Sequence, residues 1–172
     1  MEDSVNRLSL MFGIIALFTT HATAEVELRE KFEGWALYCE KSPTSMTVNS
    51  CSIVQSVKAI SKEQYYVGVA FRYDEHKVVR MIVRIPIFEY RDDRVDLVID
   101  KGQWGLAFIN HCMEKTCEAE IQLSKEEISN LTSSRTLLVS YKITEKEGIQ
   151  LPIAVTGLSN ALEGMARLVG IK

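Results

Sequence analysis

The stretch VVRMIVRIPIF, residues 78–88, alternates apolar side chains with other residues. Every second position from Val79 to Ile87 is apolar, whereas Arg80 and Arg84 occupy positions between them. A period of two is typical of a strand with one buried face, because successive side chains point to opposite sides of a sheet. Pro86 predicts an edge position or a bulge near the end of this strand. The stretch therefore indicates a β protein.

The same period recurs in eight other short segments, and turn signals such as Lys101-Gly102 separate them. Nine short strands joined in this way predict an antiparallel β-sandwich or barrel, and we favour the sandwich. The eight further segments are residues 34–39, 51–57, 65–72, 94–100, 103–109, 117–123, 135–144 and 148–155.

Two helices interrupt the strand pattern. Ser124 and Glu127 form a capping-box signature at the start of SKEEISNL, which predicts a short inserted helix over residues 124–131. Residues 156–170, TGLSNALEGMARLVG, carry apolar side chains at helical spacing and end in Gly170, a favourable C-terminal cap. We expect this C-terminal helix to pack its apolar face over an open end or edge of the sandwich.

The first residues have the layout of a secretory signal peptide. The apolar run Leu8–Phe18 contains eleven residues and precedes an A-x-A arrangement that ends at Ala24. A membrane-spanning helix needs roughly 20 apolar residues, so this run is too short to serve as an anchor. We predict a cleaved signal peptide over residues 1–24 and a single β-sandwich domain over residues 25–172.

The charge balance limits the classes of partner. The chain has 20 basic and 23 acidic residues, a formal net charge of −3. This composition gives no basic footprint for nucleic acid and no polybasic membrane patch. After the predicted cleavage, no remaining apolar segment is long enough to span a bilayer. We therefore expect an exported protein in the periplasm or at the outer membrane surface.

All four cysteines, Cys39, Cys51, Cys112 and Cys117, follow the predicted cleavage point. An even number of cysteines in an oxidising compartment predicts disulfides. Three pairings are open, and local pairing within 39–51 and 112–117 is the simplest of them. The alternative is a zinc site that includes His111, but the cysteine spacings fit structural zinc motifs poorly. We expect no metal and no cofactor.

Catalytic motifs are absent from the sequence: it contains no G-x-S-x-G elbow, P-loop or H-E-x-x-H. His76 lies in DEHK, which is typical of a solvated hairpin tip. His111 is interpreted as a strand-end residue, and the alternative is a hydrolase base acting with a nearby serine or aspartate. The acidic stretch RDDRVD, residues 91–96, is interpreted as a charged loop and not as a cation site. We expect a non-enzymatic protein.

Four aromatic residues are candidates for binding anchors, since aromatic side chains are enriched at interfaces. Core packing is the alternative for each of them, because they lie on or beside alternating strands. The four candidates are Trp35, Trp104, Tyr65 and Tyr66.

An ordered set of segments resembles the invasion-associated locus B family of exported Gram-negative proteins. The segments are W-A-L-Y-C at 35–39, C-S-I-V-Q at 51–55, V-D-L-V-I-D at 95–100, F-I-N-H-C-M-E-K-T-C-E-A at 108–119 and I-Q-L-P-I-A-V-T-G-L-S-N-A-L at 149–162. Two departures stand out: Thr116 replaces the usual glycine, and IPIFEYRDDR replaces a Leu-Pro-Gly-rich hairpin.

The resemblance implies an exported all-β domain whose four cysteines match those of the family. It also implies a role in the invasion of host cells, notably erythrocytes, and it supplies no catalytic residues. Our leading hypothesis is that the protein supports invasion by binding a host-cell surface or a bacterial envelope protein. The alternative is a periplasmic envelope housekeeping, chaperone-like or inhibitor-like module that affects invasion only indirectly.

Overall fold

The structure is a computed structural model that describes residues 25–41, 48–60, 65–88, 92–100 and 102–171. The predicted signal peptide, residues 1–24, lies outside these ranges. The elements in chain order are β1 (Glu25–Phe32), β2 (Trp35–Lys41), β3 (Val48–Lys58), β4 (Tyr66–Tyr73), β5 (Val79–Pro86), β6 (Arg94–Ile99), β7 (Gly102–Cys112), β8 (Thr116–Leu123), α1 (Lys125–Thr132), β9 (Thr136–Lys142), β10 (Gly148–Ala154) and α2 (Leu158–Leu168).

The ten strands form one antiparallel sheet in the order β1-β2-β3-β4-β5-β8-β7-β6-β9-β10. The sheet curls over, so that β10 near one edge contacts β3 near the other. Its two halves thus enclose one core, although they belong to a single hydrogen-bonded sheet. The predicted all-β fold, with a C-terminal helix, a short inserted helix and disulfides, is confirmed.

The core consists of the apolar side chains that point to the inside of the curled sheet. Leu37, Ile53, Phe71 and Met81 lie in register on β2 to β5, and each is fully buried. Burying one such side chain contributes roughly 1.5–3 kcal/mol. The period of two has the expected cause from Val79 to Ile85, because these alternate residues face the core. It ends there: Pro86 is buried and Ile87 is 42% exposed.

Helix α2 packs against β1, β2 and β3. Its N-cap is Gly157 with φ 86°, and a Cβ there would lie 2.6 Å from the Phe32 carbonyl oxygen. A Cβ at Gly164 would lie 2.9 Å from Cζ of the same Phe32. The two glycines thus let the helix approach β1 closely, which explains a glycine inside the helical pattern.

Both predicted helix ends are confirmed. Ser124 caps α1: its hydroxyl accepts a hydrogen bond from the Glu127 N–H, and the Glu127 carboxylate accepts one from the Ser124 N–H. Beyond α2, Gly170 has φ 71°, and the Ile171 N–H donates to the Ala166 carbonyl 2.9 Å away. This arrangement is a Schellman motif, which a left-handed glycine permits.

One element differs from the sequence predictions. Strand β1 was not predicted, because its charged residues obscure the alternation of Val26, Leu28 and Phe32. The predicted edge position of Pro86 is found on one side of β5: pairing with β8 continues to Pro86 opposite Thr116, whereas pairing with β4 ends at Arg84. The proline thus ends the strand where no residue of β4 pairs with it, a position that tolerates the missing N–H.

Both disulfides connect neighbouring strands at directly paired positions. Cys39–Cys51 joins β2 to β3, and Cys112–Cys117 joins β7 to β8. Within the described ranges, no helix is long and apolar enough to cross a membrane.

Candidate binding surface

The predicted aromatic anchors lie at different depths. Trp35 is 1% exposed and packs edge-on against Phe71, with ring centroids 5.4 Å apart. Tyr65 is 9% exposed and its ring lies against Phe88. These two side chains belong to the core and cannot contact a partner in the folded protein. Trp104 and Tyr66 are half-buried, and Trp104 packs against the core.

The stretch HCMEKTC forms the turn between β7 and β8. Its two sulfur atoms are bonded to each other, so Cys112 and Cys117 offer no thiolate to a zinc ion. His111 is exposed on β7 opposite Glu118, beside an irregularity in the pairing that follows Ile109. Among the described residues, His111 makes no side-chain hydrogen bond of the kind that a catalytic base needs.

The remaining charged candidates have local structural partners. His76 is exposed at the β4–β5 hairpin tip, where the Asp74 carboxylate accepts a hydrogen bond from its backbone N–H. Asp92 forms ion pairs with Arg94 and Lys142 at 3.5 and 3.6 Å. The described ranges contain no cluster of three or more potential metal ligands. The charged-loop interpretation fits Asp92, which precedes β6, but is wrong for Asp96, which lies within β6 opposite Leu106.

A continuous row of outward residues crosses the sheet from β2 to β7. These positions alternate with the buried ones, and each pairs directly with its neighbour in the row. We term this row, together with the charged residues beside it, the outer face. The row consists of Ala36, Val54, Ala70, Ile82, Glu120 and Phe108, and the charged residues are Arg72, Arg80, Arg84 and Glu118.

Phe108 is the most exposed large side chain of the outer face, with 60% of its surface accessible. It pairs with Glu120 on one side and with Arg94 on the other. The smaller Ala107 next to it is fully buried and fills the core position. Of the two neighbours Ala107 and Phe108, the larger side chain therefore faces outward. Phe108 lies in a segment predicted to be a strand, residues 103–109, but its residue type and position alone do not mark it as an anchor.

Ion pairs hold the arginines of the outer face in place. The Glu120 carboxylate lies 3.3 Å from Nη1 of Arg80, 3.7 Å from Nη2 of Arg72 and 3.3 Å from the Asn110 amide nitrogen. On the next row, Arg84 donates to Glu118 through Nε at 2.9 Å and also through Nη2. Guanidinium groups anchored in this way retain further N–H donors for a partner.

Asp74 extends this network at the end of β4. Arg80 donates to it through Nε at 3.0 Å, and the Val78 N–H donates to its other oxygen at 2.9 Å. The hydrogen bond from Val78 is the main reason that the pKa of Asp74 lies below its ordinary value. The hydrogen bond to Asp74 in turn raises the pKa of Arg80. Both groups therefore stay charged at neutral pH.

Residues 35–166 match the sequence family described as invasion associated locus B (IalB) protein. The chain belongs to this family. The match covers the sheet from β2 onward and includes every residue of the outer face. No curated protein sequence matches the chain.

A solved structure has the same fold. The crystal structure of invasion associated protein B from Bartonella henselae superimposes with a TM-score of 0.68 at 19% sequence identity. The alignment covers 83% of this chain and 97% of the Bartonella chain. At this level of identity, the similarity establishes the fold alone. It does not show that the two proteins have the same surface residues.

Proposed function

We propose that this IalB-family protein is an exported, non-enzymatic binding protein that supports bacterial invasion of host cells such as erythrocytes. The family match over residues 35–166 carries the proposal. A binding protein of this kind would act through residues on its exposed surface and not through an interior site. The partner would be a host-cell surface protein, with a bacterial envelope protein as the competing choice.

The outer face around Phe108 is the proposed contact surface. Interfaces combine an apolar or aromatic centre with a polar rim, and arginine and aromatic residues are enriched in them. Phe108 would supply the centre, while Arg72, Arg84 and their glutamate partners would form the rim. Because ion pairs already order these arginines, binding would lose less side-chain entropy than with free side chains.

Export is part of the same proposal. The two disulfides support it, because disulfides persist in oxidising compartments such as the periplasm and the cell surface. We expect the mature chain to begin at Glu25. Intact-mass measurement of the protein from the producing bacterium checks this, and a retained Met1 or a cytoplasmic fraction would contradict export.

Direct binding to erythrocytes tests the proposed activity. Labelled, purified, oxidised protein should bind saturably, and Phe108→Ala should weaken that binding roughly thirtyfold or more, since truncating an aromatic hot spot costs about 2 kcal/mol or more. Leu168→Ala is the matched control, because Leu168 is an exposed apolar residue, 43% accessible, on α2 outside the outer face.

The outcomes separate the alternatives. Saturable binding that depends on Phe108 but not on Leu168 supports a direct host contact through the outer face. Absence of binding by a folded, oxidised sample would place the partner in the bacterial envelope and make any effect on invasion indirect. A reduced and alkylated sample shows whether binding requires the disulfide-linked fold.

A further inference from the structure

A groove opens where β5 begins and β8 ends, away from the row that contains Phe108. It encloses a cavity of about 570 Å³, within the size range of small-molecule sites. Its floor is apolar: Val79 and Leu123 pair across β5 and β8, while Ile128 of α1 and Ile171 beyond α2 line its sides. The floor would accept a short hydrocarbon chain.

Two lysines and a tyrosine are among the polar residues that line this groove, and none of the three has a partner of its own. Lys77 comes from the β4–β5 turn, Lys125 from the first turn of α1, and Tyr73 from the end of β4. Among the described residues, neither ammonium group has an ion-pair partner, and the Tyr73 hydroxyl makes no hydrogen bond. Burial raises the pKa of Tyr73, so its hydroxyl remains a hydrogen-bond donor at neutral pH.

Glu127 also lines the groove, but neither it nor the nearby Asp74 forms an ion pair with Lys77 or Lys125. Asp74 accepts hydrogen bonds from the backbone N–H groups of His76 and Val78 and from Arg80. The Glu127 carboxylate accepts one from the Ser124 N–H at 2.7 Å as part of the capping box. With two lysines and one glutamate, the lining of the groove carries a net positive charge beside its apolar residues.

We propose that this groove binds an amphiphile with one short hydrocarbon chain and an anionic head group, such as a medium-chain fatty acid or its phosphate analogue. The chain would lie on Val79, Leu123 and Ile128, and the head would accept hydrogen bonds from Lys77, Lys125 and Tyr73. Charge-assisted hydrogen bonds of this kind are stronger than neutral ones. This site is independent of the proposed host contact.

Methyl NMR titration of the full protein with three ten-carbon probes tests the proposal. Decanoate carries a carboxylate head group and decyl phosphate a phosphate head group, whereas the hydroxyl head group of decanol is neutral. Saturable shifts at the methyl groups of Val79, Leu123, Ile128 and Ile171 are expected with at least one anionic probe. Decanol should bind at least tenfold more weakly, and the stronger anionic probe identifies the head group.

A lysine comparison shows whether the rim recognises the head. The double variant Lys77→Gln/Lys125→Gln should weaken anionic-probe binding at least tenfold. Lys115→Gln, an exposed lysine just before the opposite end of β8, should leave it within about twofold. Thermal unfolding confirms that each variant folds. The proposal is overturned if no probe shifts these methyl groups saturably, or if decanol and decanoate bind equally and the double variant has no effect.

Discussion

Gly157 is the residue whose backbone most constrains the packing of α2. Its φ of 86° is unfavourable for other residues, and an added Cβ would meet the Phe32 carbonyl oxygen at 2.6 Å. Gly170 has a similar φ of 71° but open space around it. Gly170→Ala should lower the free energy of unfolding by up to about 1–2 kcal/mol. Gly157→Ala should lower it by a further ~1–3 kcal/mol, because overpacking adds to the backbone strain.

Chemical denaturation of the two variants measures this difference. Equal losses of stability would contradict the close contact between α2 and β1.

Tyr141 makes the stability of the fold sensitive to alkaline pH. The side chain is buried against Phe88, and its hydroxyl donates to the Tyr66 carbonyl at 3.3 Å. Burial is the main reason that the pKa of Tyr141 is raised above its ordinary value of 10.0. The stability that depends on neutral Tyr141 is therefore complete below about pH 10 and is lost as the pH rises further, because only the unfolded chain ionises readily.

Tyr141→Phe should flatten this alkaline decline in the free energy of unfolding. At neutral pH, it should remove only the single hydrogen bond, about 0.5–1.5 kcal/mol. Denaturation curves recorded between pH 8 and pH 11 are the measurement, with Tyr38→Phe on β2 as the control. An unchanged slope in Tyr141→Phe would show that another group governs the decline.

Among the elements, the two disulfide-linked strand pairs should contribute unequally to stability. Cys39–Cys51 closes the longer segment, with a sequence separation of 12 against 5 for Cys112–Cys117. The chain-entropy account gives about 3 kcal/mol for the first bridge and about 2 kcal/mol for the second. Replacing each pair with alanines and measuring urea denaturation checks this order. A larger loss from the Cys112–Cys117 pair would mean that contacts in the β7–β8 turn outweigh loop entropy.

The strands and helices could be predicted from sequence wherever a strand buries one face or a helix end carries its own capping residues. Residues 78–88 and the Ser124 capping box are examples. Strand β1 was missed because charged residues interrupt its alternation and both Val26 and Leu28 are exposed. Its Phe32 packs against α2, and a contact so distant in sequence cannot be predicted from the local pattern.

The candidate surface was less predictable than the fold. Trp35 and Tyr65 have the residue type of binding anchors, yet alternation places them on the core side of the sheet. Phe108 was not singled out, because in QWGLAFI large apolar residues alternate with Gly105 and Ala107, and the pattern does not show which set is buried. Ala107 is fully buried, and a Cβ at Gly105 would lie 3.3 Å from Ile121, so these small residues face the core and Phe108 faces outward. Trp104 nevertheless packs against the core, because the register between β6 and β7 shifts beside it.

For the whole molecule, both ends of the sheet order have features that discourage pairing with another strand. β1 carries Glu27, Arg29 and Glu30 and has an irregular register between Leu28 and Glu30. β10 carries Pro152, which cannot donate a backbone hydrogen bond. Charges, bulges and prolines are common devices against edge-to-edge association. For this reason we propose the outer face, and not either edge, as the contact surface.

An erythrocyte invasion assay tests whether the outer face supports invasion. A deletion strain would be complemented with the wild-type gene, with Phe108→Ala or with Leu168→Ala, at equal levels of the protein. We predict that the wild-type and Leu168→Ala proteins restore invasion and that Phe108→Ala does not. Full restoration by Phe108→Ala, or unimpaired invasion by the deletion strain itself, would rule out this role of the outer face.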